Sequence, residues 1–339
     1  ALLSSSCRWR QVSWLVCECL AVDMATSSAQ KPVLFILFLA ALQVITYTSQ
    51  SILVTLTKTS GVYNYDPNSN VLLTEVFKLL FALISLIRSG EISSLSLPQG
   101  KGHKAGLAPV VVLRKSLTFA VPAVLYVLHN NLIFLSLLYL SAPVYQLLNN
   151  MKILTTGVVF RFMLKRKLAV IQWIALLQLT VGMGVTSMDK ATSAIEHEDE
   201  HSGLSAWMTG LLLMFILALC SAAAGCWTEL IVKTSGYPLQ VTNAWLYSYG
   251  ILFSSAIYIW HREPGHNFFD GYTPLAFAVA VTNSILGMVI SFILKHGDNI
   301  IKLFASSSAV LFTAALSWPL FDYRPGPGLW LGWILVGCS

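Results

Sequence analysis

The chain has 339 residues, of which 56% are hydrophobic and 11% charged, and its formal net charge is +6. A soluble domain carries about a quarter charged residues, so the composition excludes an ordinary soluble globular protein. The basic residues lie mostly in loops between apolar runs, so the positive balance reads as membrane topology rather than as affinity for nucleic acid.

Residues 1–32 read as a leader outside the fold. Met24 is the first methionine, and Ala25-Thr26-Ser27-Ser28 follows it like an ordinary start. Arg8 and Arg10 interrupt the apolar run that a signal peptide needs. Apolar stretches of about 20 residues, the length that crosses a bilayer as a helix, then recur to the end of the chain. They predict spans over 33–57, 70–88, 116–139, 142–164 and 168–188, a first set of five. An acidic loop over 189–203 follows, and then spans over 204–232, 238–260, 272–295 and 298–321. A tenth starts near 327 and stops after about a dozen residues, half a span, so the chain reads as truncated there. The expected fold is an all-α membrane protein of ten transmembrane helices, the last one truncated, built as a five-plus-five inverted repeat over 33–188 and 204–339.

Sidedness follows from Lys and Arg in the loops. Arg88, Lys101, Lys104, Arg114, Lys115 and Lys165-Arg166-Lys167 fall on the side of the N-terminus, whereas Lys58, Lys190, Arg262 and Arg324 fall on the other. The N-terminus is therefore expected in the cytosol and the acidic loop in a lumen.

Two lysines sit inside apolar runs, each ending the pattern Asn-x-x-Lys: Asn149 to Lys152 and Asn299 to Lys302. A cation at mid-membrane is unfavourable by roughly 2.5–3.5 kcal/mol, so it marks a functional group by default. The two spans that carry them are five apart and run in opposite directions. A hydroxyl-rich stretch follows each, Thr155-Thr156-Gly157 in one and Ser306-Ser307-Ser308 in the other. Such matching elements at a repeat interface are expected to form a polar cavity for an anionic solute. Helical spacing extends the polar stripes to Tyr145, Asn149 and Lys152, to Tyr126 and Asn130, to Asn243 and Tyr247, and to Asn299 and Lys302. Lysine supplies charge to phosphate, asparagine amides can read a base edge, and tyrosine rings can stack on it. Equally, buried Asn and Tyr can act as interhelical glue. Glu75 and Lys78 are spaced as an intrahelical pair, as are Glu229 and Lys233, with Lys233 expected to snorkel to the interface.

His197-Glu198-Asp199-Glu200-His201 fits the His-Glu-x-x-His expression of zinc hydrolases. That chemistry needs both imidazoles on one buried helix face. Here the motif lies in an acidic loop, so no metal site is expected there. The six cysteines are scattered without disulfide or metal spacing, and no cofactor is expected.

The sequence from about residue 33 onward resembles nucleotide-sugar transporters of the CMP-sialic acid / UDP-galactose / UDP-N-acetylglucosamine branch, in the drug/metabolite transporter superfamily. The resemblance rests on Thr74 to Leu79, on Tyr126 with Asn130-Asn131, on Tyr145 through Ile153, and on Lys165 to Leu168 with Gln172-Trp173. It continues through Gly225, Glu229 and Lys233, Phe268 to Tyr272, and Lys295 to Lys302. Where the family often has Gln, this chain has His129 and Asn150. The resemblance implies a non-enzymatic antiporter of the Golgi or endoplasmic reticulum membrane, exchanging a pyrimidine nucleotide sugar for a nucleoside monophosphate, with homodimer pairing as a further possibility. It implies that Lys152 and Lys302 bind phosphate, and that Tyr126, Asn130, Tyr145, Asn243 and Tyr247 line the nucleoside and sugar pocket. The alternatives are another exporter or a phosphate-ester translocator of the same fold, and an intramembrane zinc hydrolase using His197 and His201.

Overall fold

The structure is a computed structural model. It describes residues 30–59, 62–90, 109–136, 139–140, 142–165, 168–197, 204–262, 265, 267–321 and 327–337. Eleven helices occur among the described residues: α1 (Gln30–Leu56), α2 (Pro67–Ser89), α3 (Pro109–Ser136), α4 (Ala142–Asn149), α5 (Met151–Met163), α6 (Val170–His197), α7 (Leu204–Thr234), α8 (Leu239–His261), α9 (Pro274–His296), α10 (Asn299–Phe321) and α11 (Pro327–Gly337). Among the described residues, five stretches are long and apolar enough to cross a membrane: Val33–Leu56, Pro67–Ser89, Met208–Thr234, Pro274–His296 and Asn299–Ser317. Large apolar side chains such as Phe162, Ile259 and Trp260 point outward, 71% or more exposed. Water would not tolerate so much outward apolar surface, whereas acyl chains would.

Helix ends follow the expected chemistry. Asp66 caps α2 by accepting the Asn68 N–H at 2.9 Å, Pro67 opens the first turn, and Gly90 ends the helix in the left-handed region at φ 71°. Thr273 caps α9 through the Ala276 N–H at 3.3 Å. Asp298 Oδ1 accepts the Ile301 N–H at 2.8 Å at the start of α10.

Two boundaries differ from the sequence reading. The helix expected over 168–188 continues to His197, because Met188 to Glu196 contains neither Gly nor Pro and nothing stops the turn. Of the His-Glu-x-x-His motif, His197 thus ends α6, and the remainder lies outside the described residues. The span expected as one helix over 142–164 is two, α4 and α5. Around Asn150 the ladder tightens to i→i+3 bonds, Asn150 N–H to Leu147 O at 3.3 Å and Ile153 N–H to Asn150 O at 3.1 Å.

Packing crosses between the halves of the chain. α2 lies against α8, α3 against α7 and α8, and α1 against α9 and α10; α5 packs on α7, and α6 on α11. The largest buried cluster joins α5, α6, α7, α10 and α11 through Ile153, Phe160, Leu179, Cys226, Leu311 and Val336. Buried amides and hydroxyls tie the helices by bonding carbonyls of their neighbours: Asn70 to Ala276 O at 2.8 Å, Ser284 to Thr74 O at 3.1 Å, Thr48 to Ala309 O at 3.2 Å.

At one end of the bundle a hairpin, β1 (Lys58–Thr59) and β2 (Val62–Tyr63), meets the segment before α9. Tyr65, Phe268, Phe269 and Phe277 surround Tyr272 with ring centroids 5.1–6.4 Å apart. The Tyr272 hydroxyl lies 2.9 Å from Ser69 Oγ, and burial raises its phenol above the ordinary range. Gly271 sits at φ 71°, and a Cβ there would stand 1.8 Å from Asn64 O. Only glycine fits this crossing of two backbones. Gly271→Ala is expected to destabilise the protein by about 1–3 kcal/mol or more, seen as a lower unfolding midpoint in detergent with an unchanged helical far-UV spectrum.

Candidate substrate-binding site

Three groups of polar side chains occupy the interior. The first is a cavity of about 290 Å³, near the lower limit for small-molecule sites. Its wall includes Glu75 and Lys78 of α2, Tyr126 of α3, Thr228 of α7, Tyr247 of α8 and Ser291 of α9. Glu75 and Lys78 form the expected ion pair, with side chains 17% and 14% exposed. The pair fits because two facing helices have no side chain at the contact. A Cβ at Gly250 would stand 2.7 Å from Glu75 Oε2, and one at Gly287 would stand 2.8 Å from Lys78 Cδ. Lys78 Nζ lies 5.0 Å from the Tyr247 ring centroid, a cation–π distance, and the Tyr247 hydroxyl is 3.2 Å from Ser291 Oγ.

The second group is cationic. Lys152 lies in the first turn of α5 just past the break at Asn150, and Lys302 in the first turn of α10. Neither lysine has a carboxylate within ion-pair distance among the described residues. Gln43 of α1 is fully buried and its Nε2 donates to Lys302 O at 3.0 Å and to Ser306 Oγ at 2.7 Å. That fixes the turn of α10 from which Lys302 projects.

The third group closes the turn between α9 and α10. Glu229, fully buried on α7, accepts from Lys233 Nζ at 2.7 Å and from the Asn299 backbone N–H at 2.9 Å. Lys233 also donates to Gly297 O. One carboxylate thus meets an orphan donor at the start of α10, and one ammonium meets a carbonyl at the end of α9. Lys233 was expected to snorkel; it turns inward because these partners lie within reach.

The residues singled out by sequence divide among these groups. Tyr126 and Tyr247 line the cavity. Asn243 is 1% exposed on α8, with its Nδ2 buried and unpartnered. Asn149 and Asn299 also leave buried Oδ1 atoms unpartnered, and the Asn299 amide lies against Gly225 and Cys226. Unpaired buried polar atoms carry a desolvation penalty, so they mark positions where a ligand or water completes the bonding. Tyr145 is packed instead with Leu140, Val144 and Met214, away from the lining of the cavity. The side chain of Asn130 lies outside the described residues. Thr228, Ser291 and Gln43 were not singled out, because a lone hydroxyl or amide in an apolar run carries no periodic signal. No cluster of three or more His, Cys, Asp or Glu able to hold a metal occurs among the described residues.

Residues 32–339 match the nucleotide-sugar transporter family. The chain belongs to that family. It is 34% identical over 307 residues to CMP-sialic acid transporter 1 of Arabidopsis thaliana, covering 88% of this chain and 86% of the relative. It is 34% identical to the protein of the same name from Oryza sativa subsp. japonica, over 87% of this chain and 90% of the relative. A Danio rerio protein named probable UDP-sugar transporter protein SLC35A4 is 30% identical over 88% of this chain and 91% of its own. A solved crystal structure shares the fold at TM-score 0.63 and 13% identity, covering 89% of this chain and 93% of that one. Membership in a membrane transporter family accounts for an interior that holds so many polar groups.

Breaking one side of a buried pair leaves the other charge uncompensated, worth about 3–5 kcal/mol. Glu229→Leu in this transporter is expected to lower the unfolding midpoint by roughly 5 °C or more, and the double variant Glu229→Leu/Lys233→Met to recover most of the loss. Thermal unfolding in detergent measures both.

Proposed function

We propose that this chain is an antiporter that exchanges a pyrimidine nucleotide sugar, a UDP-sugar or CMP-sialic acid, for a nucleoside monophosphate. The observation that carries this reading is that neither Lys152 nor Lys302 has a carboxylate at ion-pair distance among the described residues, in a bundle that also holds the Glu75–Lys78 cavity. Two lysines match a solute with about two negative charges, so the loaded site is near neutral, as a low-dielectric interior requires. In this reading Lys152 and Lys302 hold phosphate. Tyr126 and Tyr247 stack on the ring systems of the solute, and Asn149, Asn243 and Asn299 supply hydrogen bonds from atoms that are otherwise unpartnered. Asn130 and Tyr145 complete the expected set, Tyr145 from a position packed with Leu140, Val144 and Met214.

A ten-span inverted repeat is part of the proposal. Taking α4 and α5 as one span, adding five to a span's position converts the contacts of the bundle into one another. The α3–α7 contact becomes α1–α9, α1–α10 becomes α7 with α4–α5, and α2–α9 becomes α3–α8; the α2–α8 and α6–α11 contacts map onto themselves. Contacts that exchange in this way are what alternating access by rocking of two inverted halves requires. The loop charges support an N-terminus in the cytosol, and the family and exchange chemistry support the Golgi or endoplasmic reticulum membrane.

Lys152→Ala and Lys302→Ala are each expected to abolish uptake of radiolabelled nucleotide sugar by proteoliposomes, with expression and elution profile unchanged. Preloading wild-type vesicles with UMP, CMP or GMP is expected to accelerate uptake for at least one of them. Absence of trans-stimulation by all three would favour a uniporter or another exporter of this fold. Metal analysis of the purified protein is expected to find no stoichiometric zinc, which separates transport from the hydrolase alternative.

A further inference from the structure

Gln43 lies midway along α1 and is fully buried. A polar side chain inside an apolar span is unfavourable, so a buried amide there calls for a reason. Its Nε2 donates to Lys302 O at 3.0 Å and to Ser306 Oγ at 2.7 Å. A carbonyl only accepts, so the amide nitrogen is the atom that faces α10. Lys302 and Ser306 are i, i+4 on α10 and share one face of it. The Ser306 side chain meets Gln43, so that face is turned toward α1, and Lys302 leaves α10 from it. Ile301 packs on the buried cluster that contains Leu39, one turn before Gln43 on α1. From the side of α7, Glu229 holds the Asn299 N–H, three residues before Lys302. Buried amides often do no more than join helices. Thr48 does that for α1 and α10, donating to Ala309 O at 3.2 Å two turns beyond Lys302. Gln43 differs in gripping the carbonyl of Lys302 itself. Its Oε1 is also buried without a partner among the described residues, which opposes a purely stabilising role.

We propose that Gln43 is a positioning residue for phosphate: its amide sets the direction in which Lys302 leaves α10, and with it the affinity for a phosphate-bearing solute. The inference rests on reading Lys302 as a phosphate ligand. The physics is preorganisation. With Gln43 in place the first turn of α10 is fixed before the solute arrives. Without it the turn is ordered at the moment of binding, and that ordering subtracts from affinity. Gln43 is neutral and bonds a backbone carbonyl, so it contributes geometry rather than charge. Its effect therefore belongs to solutes that Lys302 holds, and a nucleoside without phosphate is insensitive to it. Loss of one to two net hydrogen bonds corresponds to about 5- to 30-fold in affinity.

The test is uptake of UDP-galactose by proteoliposomes of the full-length chain, with UMP and uridine as competitors. CMP-sialic acid, CMP and cytidine replace them if wild type transports that series instead. Gln43→Met keeps the length of the side chain and loses its bonds. Gln43→Asn keeps the amide on a shorter stem. Thr48→Val cuts the other tie between the same two helices. Wild type is expected to be inhibited more strongly by UMP than by uridine. Gln43→Met is expected to raise KM about 5- to 30-fold with little change in maximal rate. It is expected to shrink the preference for UMP over uridine by a similar factor, with Gln43→Asn in between. Thr48→Val is expected to lower the unfolding midpoint in detergent and to leave KM and the preference as in wild type. A Gln43→Met variant that keeps the wild-type KM and preference overturns the proposal, as does one that weakens UMP and uridine alike. A Thr48→Val variant that behaves as Gln43→Met does so too. Failure of both Gln43 variants to fold assigns the amide to stability alone and overturns it as well. Wild type that prefers neither UMP to uridine nor CMP to cytidine overturns the phosphate-site reading, and the proposal with it.

Discussion

Charge in an apolar interior is the constraint on which the rest of this molecule depends. Among the described residues, Glu75, Lys78, Lys152, Glu229, Lys233 and Lys302 lie on helices that pack across its halves. Four of them neutralise one another locally, as Glu75 with Lys78 and Glu229 with Lys233. The two that remain, Lys152 and Lys302, are cations. A lone ammonium in a medium of low dielectric is held only where something completes it. No carboxylate stands at ion-pair distance from either lysine among the described residues, and on the proposed function that completion is the anionic solute.

The two internal pairs do different things with the same chemistry. Glu229 and Lys233 spend their bonds on the backbone, on Asn299 N–H and Gly297 O, and so fix the turn that sets the first residues of α10. Lys302 is one turn further along, and its carbonyl accepts from Gln43. The first turn of α10 is thus held by a carboxylate on α7 and an amide on α1. Glu75 and Lys78 spend their bonds on each other and leave their outer surface to the cavity, in notches made by Gly250 and Gly287. A pair that is internally neutral can border a pocket without demanding a charged ligand, and leaves hydroxyl-rich solutes such as sugars acceptable there.

Much of this was legible in the sequence because lipid makes the signals strong. Apolar runs of spanning length gave helices whose starts at Pro67, Pro274 and Asn299 agree with the structure to within a few residues. The i,i+3 spacing of Glu75 and Lys78 was enough to predict their pairing. The two Asn-x-x-Lys patterns singled out lysines that each lie in the first turn of a helix, α5 and α10. What was illegible is tertiary. Periodicity puts Tyr145 on the stripe of Lys152, but Tyr145 packs with Leu140, Val144 and Met214 instead. Nothing in the local sequence shows that Lys233 will find Gly297 sixty-four residues away and turn inward. Nor does it show that Gln43, a single amide in a long apolar helix, will meet Lys302.

On the proposed inverted repeat, the two access states differ by exchange of roles between the halves, and a symmetric molecule would populate them equally. The interior charges are not symmetric. The Glu229–Lys233 clasp lies on α7, whose counterpart is α1, and α1 has no charged residue from Val33 to Leu56. The turn between α9 and α10 is therefore held by an ion pair, while the corresponding turn after α3 has none from its partner helix. Breaking a buried pair is unfavourable by several kcal/mol, whereas α1 spends its buried amide and hydroxyl on α10, through Gln43 and Thr48. The half that contains α9 and α10 is the one stiffened at its turn, so the freer rearrangement falls to the half that contains the broken α4–α5 span and Lys152. On the same proposal, the interruption at Asn150, with its tightened hydrogen-bond ladder, is the point at which that rearrangement needs the fewest bonds remade.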